Sequence, residues 1–134
     1  MKVSRRMLRS KIHRATVTHT NVNYEGSITV PPELLAAADI AEYEAVHVWN
    51  VSTGGRFETY AIIGFHGSTD IAVNGAGAHL ASPGDIIIIA CFAYVTADVI
   101  QTHQPRLIFV DGSNRITESR REAPEPLSRI PSSS

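Results

Sequence analysis

The chain holds a single cysteine, Cys91, in 134 residues, so no internal disulfide can form. That fits a reducing compartment. No apolar run approaches the roughly 20 residues needed to cross a bilayer, which argues against a membrane span. The basic N-terminus has no apolar stretch behind it, so it does not read as a secretory signal. Six histidines are present without paired-ligand spacing, and no metal site is expected from them. There is no phosphate-loop motif and no Gly-x-Ser-x-Gly elbow. Asn74-Gly75-Ala76-Gly77-Ala78-His79-Leu80 contains a Gly-x-Gly, but Leu80 stands where a dinucleotide fingerprint needs a third small residue. Net charge is −1, which excludes a generic polyanion binder.

The charge is unevenly placed. Lys2, Arg5, Arg6, Arg9, Lys11 and Arg14 supply half of all Lys and Arg. Such an arm can bind nucleic acid, can be a solvated strand face, or can supply cations to an acidic substrate.

Short β-branched segments separated by Gly and Pro turns predict a mainly β chain with brief helices, a single barrel-like domain over residues 1–115. Strands are expected over 9–22, 27–30, 44–52, 56–65, 71–73, 86–95 and 107–110. Pro32-Glu33-Leu34-Leu35-Ala36-Ala37-Ala38 opens with proline and continues in good helix formers, which predicts a helix. Thr53-Gly54-Gly55 predicts a hairpin turn. Ile86 to Val95 is uniformly apolar and is expected to be buried on both faces, with Cys91 as packing. Asn50-Val51-Ser52 matches a glycosylation sequon, of no use to a cytosolic protein. Residues 116–134, charged and then rich in Pro and Ser, are expected to form a disordered tail.

Tyr24-Glu25-Gly26-Ser27 has the chemical potential to break its own backbone. Glycine leaves its carbonyl unshielded and reaches backbone angles closed to other residues. The Ser27 hydroxyl can then attack the Gly26 carbonyl to give an ester. Elimination across Ser27 would cut the chain, and hydrolysis of the resulting dehydroalanine would leave a pyruvoyl group. The same residues also suit an ordinary turn with a capping serine, as do Gly67-Ser68 and Gly112-Ser113. Asn74 to Ala78 is either a plain strand-to-helix turn or a small-residue cradle whose N–H groups meet an anion. Arg56 is an exposed hairpin charge or a carboxylate clamp. Tyr60 is core or a phenol aimed at a reacting carbon. Trp49, His13 and His19 have bland structural readings as well.

These stretches occur together in one order. Lys11-Ile12-His13-Arg14, Val17-Thr18-His19, Tyr24-Glu25-Gly26-Ser27, Val48-Trp49-Asn50-Val51, Gly55 to Ile62, Val73-Asn74-Gly75-Ala76, Ala78-His79 and Gly84 to Ala90 resemble the bacterial aspartate 1-decarboxylase family. That family consists of self-cleaving pyruvoyl enzymes that make β-alanine for pantothenate synthesis. The resemblance runs from about Met7 to Asp111. Gly77 departs from it, standing where an alanine is common.

The resemblance implies a double-psi β-barrel, a cytoplasmic homotetramer with sites between neighbouring subunits, and cleavage between Gly26 and Ser27. Ser27 would become the pyruvoyl cofactor. Tyr60 would be the proton donor, and Thr59, Gly75, Ala76 and Gly77 would contact L-aspartate. Lys11 and Arg56 would hold its carboxylates, with His13, Tyr24, Trp49 and Asn74 lining the site. The chemistry asks for these types: an electron-accepting carbonyl for loss of CO2, an acid to protonate Cα, and cations for two carboxylates. Two rival readings remain: a barrel that binds nucleic acid through its basic N-terminus without catalysis, and a pyruvoyl decarboxylase of another amino acid. The sequence does not say whether maturation needs a partner protein.

Overall fold

A computed structural model of the chain describes residues 2–122. Among the described residues the chain is mainly β, with nine strands and short helices, as its turn-punctuated pattern predicts. The strands are β1 (Ser4–Thr16), β2 (His19–Asn21), β3 (Ser27–Val30), β4 (Ala45–Asn50), β5 (Arg56–Ile63), β6 (Ala72–Asn74), β7 (Ile86–Thr96), β8 (Arg106–Val110) and β9 (Ile116–Arg121). Helix α1 (Pro32–Ala38) follows β3, a 3-10 turn (Gly75–His79) follows β6, and α2 (Ala97–Ile100) follows β7.

The hydrogen-bonded order is β2-β6-β3-β5-β4-β7-β1-β8-β9. β3 pairs with β6 antiparallel and with β5 parallel. This combination is what brings three separate segments to one spot. The two central long strands, β1 and β7, are antiparallel partners. Inside, Ile12, Ile28, Val30, Val46, Val48, Ala61, Val73, Ile87 and Ile89 are fully buried, drawn from β1, β3, β4, β5, β6 and β7. Each buried Val or Ile of this size contributes about 1.5–3 kcal/mol relative to exposure. α1 caps the core with Leu34, Leu35 and Ala38. Its N-terminus is set by Pro31-Pro32, and it stops at Asp39 in the left-handed conformation, φ 55°.

Four expectations need correction. The first strand starts at Ser4, five residues earlier than expected, and does not run through to Val22. It breaks after Thr16, where Val17 and Thr18 donate their N–H groups to Asp85 and Ile71, and resumes as β2. The expected tail does not begin at 116, because Ile116–Arg121 forms β9 on the edge of β8. All six β9 residues are exposed, so they bury no face that a hydrophobic pattern could reveal. The rest of that expected tail, residues 123–134, lies outside the described residues. β7 is not buried on both faces throughout: Ile86, Ile88 and Phe92 are half-buried and Tyr94 is exposed. The short α2 had no counterpart in the sequence reading.

The basic arm is built into the sheet. Arg6 donates to His47 Nε2 at 2.8 Å and lies 4.4 Å over the Phe92 ring. Arg9 is ion-paired to Glu44 and bonds the Asp39 carbonyl. Cys91 is buried, and burial pushes its thiol up to about 12, so it is packing rather than a nucleophile. Among the described residues no helix is long and apolar enough to cross a membrane.

Candidate functional site

Ser27 opens β3 and is completely buried, while Gly26 before it is exposed. The Gly26–Ser27 pair therefore straddles the boundary between core and surface. Ser27 faces Asn74 across the β3–β6 ladder. The Asn74 side-chain amide donates to Ser27 Oγ at 3.0 Å and to Thr29 Oγ1 at 3.3 Å. A buried hydroxyl without such a partner would be costly, so the pairing explains how serine is tolerated there.

Immediately after Asn74 the chain turns at Gly75, whose φ is +72°. A Cβ at Gly75 would lie 2.6 Å from Gly26 Cα and 2.7 Å from Gly26 N. Glycine is thus required at 75 twice over, by conformation and by the approach of the cleavage segment. Gly26 behaves differently from expectation. Its φ is not positive and a Cβ there would meet nothing within 4 Å. The demand for a missing side chain falls on the partner loop, a long-range contact that the local sequence at 24–27 does not announce.

A cavity of about 210 Å³ opens beside this bond, lined by Gly26, Phe57, Glu58, Thr59, Ala76, Gly77 and Leu80. Of the expected substrate contacts, Thr59, Ala76 and Gly77 are in its wall. Phe57, Glu58 and Leu80 were not anticipated. Phe57 has a visible reason: a Cβ on Gly77 would sit 2.8 Å from its ring edge, so the ring occupies the space that the glycine leaves. Glu58 is exposed and lies 3.3 Å from His47 Nε2.

Tyr60 follows Thr59 on β5. The parallel register pairs Ile28 with Ala61, so Ser27 and Tyr60 each precede that pair by one residue. Strand alternation puts them on the same face, opposite to Ile28 and Ala61, both fully buried. The Tyr60 ring packs toward Tyr43, with centroids 6.4 Å apart.

Arg56 stands at the start of β5, opposite Trp49, with its guanidinium 5.1 Å from the Trp49 ring centre. Both line a second cavity of about 230 Å³ with Gly55 and Ile88. Asn50, next to Trp49, holds this hairpin to the loop after Gly75. Its amide donates to the Leu80 carbonyl at 3.0 Å and to Asp85 Oδ2 at 2.9 Å, and its Oδ1 accepts from the N–H groups of Ser52 and Thr53. Asn50 is buried, an anchoring role the sequence reading missed. Buried amides satisfied in this way hold loops to one geometry. Tyr24, 56% exposed, lies on a third cavity with His19, Thr29 and Phe65.

Lys11 and His13 do not line the cavity beside Gly26. Both are on β1, which β7 and β4 separate from β5. His13 packs edge-on to Phe109 at 5.4 Å, and its Nδ1 is buried without a hydrogen-bond partner among the described residues. Burial, then the charges of Lys11 and Arg14, pull the His13 pKa below its ordinary value.

Comparison with known proteins gives consistent matches. The family model described as aspartate decarboxylase matches residues 3–117. The aspartate 1-decarboxylase of Legionella pneumophila (strain Paris) is 57% identical over 127 residues, covering 95% of this chain and 96% of its own length. That of Rhodopirellula baltica is 59% identical over 113 residues, covering 84% and 72%. The aspartate 1-decarboxylase 2 of Polaromonas sp. is 52% identical over 120 residues, covering 90% and 95%.

Proposed function

The chain belongs to the aspartate decarboxylase family, and on that premise we propose that it is an aspartate 1-decarboxylase, a lyase that converts L-aspartate to β-alanine and CO2 for pantothenate biosynthesis. Its cofactor is a pyruvoyl group made from Ser27 by cleavage of the Gly26–Ser27 bond. The observation that carries this reading is the buried Ser27 hydroxyl, held by the Asn74 amide and pressed against a glycine turn that admits no side chain beside Gly26.

The residues fit the making of that group. Donation from the Asn74 N–H favours negative charge on Oγ as its proton leaves, which promotes attack on the Gly26 carbonyl. The turn at Gly75 lies so close to the Gly26 backbone that a side chain there would collide with it. When formed, the pyruvoyl ketone supplies an electron sink for loss of the α-carboxylate.

The chain's own residues do the rest. Thr59, Ala76 and Gly77 shape the cavity beside Gly26 to the size of a small amino acid. Arg56 offers a two-pronged fork to a carboxylate, with the Trp49 ring behind it to fix its plane. Tyr60, level with Ser27 on the adjoining strand, delivers the proton to Cα. Lys11 and His13 lie outside the cavity beside Gly26, and a neighbouring copy would supply them, which supports reading the working form as a homo-oligomer, a tetramer with shared sites and a double-psi barrel in each subunit. The enzyme works in the cytoplasm.

The test is product formation with aspartate and glutamate compared. β-Alanine from aspartate, with little turnover of glutamate, is the expected result. Turnover of glutamate in preference to aspartate would replace the substrate. Salt-dependent DNA binding without either activity would favour the basic-arm alternative instead.

A further inference from the structure

We infer that Thr29 is a positioning residue for self-cleavage, acting through Asn74 to hold that residue's amide on Ser27. The inference rests on the self-cleavage reading above. Ser27 and Thr29 are two residues apart on β3, so their side chains leave the strand on the same face. Asn74 stands opposite Ser27 on β6, and its Nδ2 reaches both hydroxyl oxygens, at 3.0 Å and 3.3 Å. A carboxamide has two N–H hydrogens, so each hydroxyl accepts one.

This double engagement holds the Asn74 side chain in place against Ser27, so losing the Thr29 contact would free the amide to turn. With Nδ2 on Oγ, the serine oxygen accepts, and its own hydrogen is free to leave toward another base. With the amide turned over, Oδ1 would accept the serine O–H and hold that proton in place. The first arrangement favours the nucleophile and the second opposes it. Thr29 accepts the second N–H of the same Nδ2, so the amide is tied down at two points and not one. Its Cγ2 methyl would be 3.4 Å from a Cβ at Gly64, so the side chain is backed by the strand end of β5.

The step it assists balances within the chain. The bond from Oγ to the Gly26 carbonyl carbon forms as the bond from that carbon to Ser27 N breaks. The hydroxyl proton ends on the freed amine, and the product is an ester.

The experiment follows chain cleavage by intact mass after a pulse of cell-free translation, so that no activity measurement is involved. Thr29→Val keeps the shape and loses the hydroxyl. It should slow conversion to fragments 1–26 and 27–134 about 3- to 10-fold, the effect of one ordinary hydrogen bond. Thr29→Ser should restore the rate. Placed on Asn74→Ala, Thr29→Val should cause no further slowing, because the group it orients is gone. Circular dichroism confirms that each variant folds, and Thr29→Ala serves as the second hydroxyl-free variant if valine disturbs the strand. A wild-type rate in folded Thr29→Val or Thr29→Ala overturns the proposal. So does additive slowing in the double variant. A wild-type chain that never cleaves overturns the self-cleavage reading itself, whereas a cleaving wild type with an indifferent Thr29 removes only this proposal.

Discussion

The two ends of the proposed site are built to different standards. Around Ser27 the chain is self-sufficient. The hydroxyl is buried, hydrogen-bonded by Asn74 and braced by a turn whose glycine touches the scissile segment. Around Lys11 and His13 it is less complete: both sit on β1, which β7 and β4 separate from β5 in the hydrogen-bonded order, and His13 Nδ1 is buried with no partner among the described residues. The difference teaches that the chemistry divides in two. On the proposed reading, making the cofactor needs contacts within one chain, whereas holding the substrate draws on cations from a second.

The largest effect is expected where the first end is tightest. Gly75→Ala puts a Cβ 2.6 Å from Gly26 Cα at a residue with φ +72°, so the loop and the cleavage segment cannot both keep their places. Strain of about 1–3 kcal/mol from conformation alone, with overpacking of similar size added, should abolish cleavage or folding. Gly26→Ala points into open space and should fold normally. Intact mass and thermal melting of the two variants check the contrast, and equal behaviour would mean that Gly75 is not the constraint.

Tyr60→Phe comes next. The phenol is proposed to act on substrate and not on the chain, so the variant should mature fully and turn over about 10²–10⁴-fold more slowly. Near-normal β-alanine production from the mature variant would remove Tyr60 from the mechanism.

Lys11→Gln probes the other end. Loss of one charge-assisted hydrogen bond of about 1.5–3 kcal/mol should lower kcat/KM by roughly ten- to a hundredfold, with chain cleavage intact. Co-expression with Ser27→Ala should recover activity beyond either variant alone, because each chain supplies what the other lacks. No recovery in mixed assemblies would show that Lys11 and Ser27 serve one site within one chain.

The smallest effect belongs to His13. Its folded pKa is depressed, so below about 6.5 the unfolded chain binds a proton that the folded chain resists. This contribution favours the fold fully above the unfolded pKa and is lost as pH falls through that value toward the folded one. His13→Gln should therefore flatten the decline in stability between about pH 7 and pH 5. Denaturant midpoints across that range measure it, and an unchanged slope would contradict the assignment to His13.

Much of this was legible in the chain because it is local. Ser27–Val30 and Pro32–Ala38 were read to the residue, since proline and alanine placement set them. The turn at Thr53-Gly54-Gly55 was equally plain, with Gly54 at φ +83°. What could not be read is what depends on distant partners. Gly26 looked like the conformationally special glycine, yet Gly75 has that role, through a contact between β6 and the loop before β3. Asn50 looked like an idle sequon and is a buried tether between the β4–β5 hairpin and Leu80 and Asp85. Phe57 drew no notice because its place in the cavity wall depends on the absence of a side chain at Gly77. β9 lacks any apolar face, so no periodicity could reveal it.

The central claim is that Ser27 is consumed to make the cofactor, and intact mass tests it most directly. Wild type should give two species, residues 1–26 and 27–134, the larger lighter than its hydrolysis product by one ammonia. That difference arises because the Ser27 nitrogen leaves as the ketone forms. Ser27→Ala should remain a single folded chain without activity. A wild-type chain that stays whole and still releases β-alanine from aspartate would contradict the account.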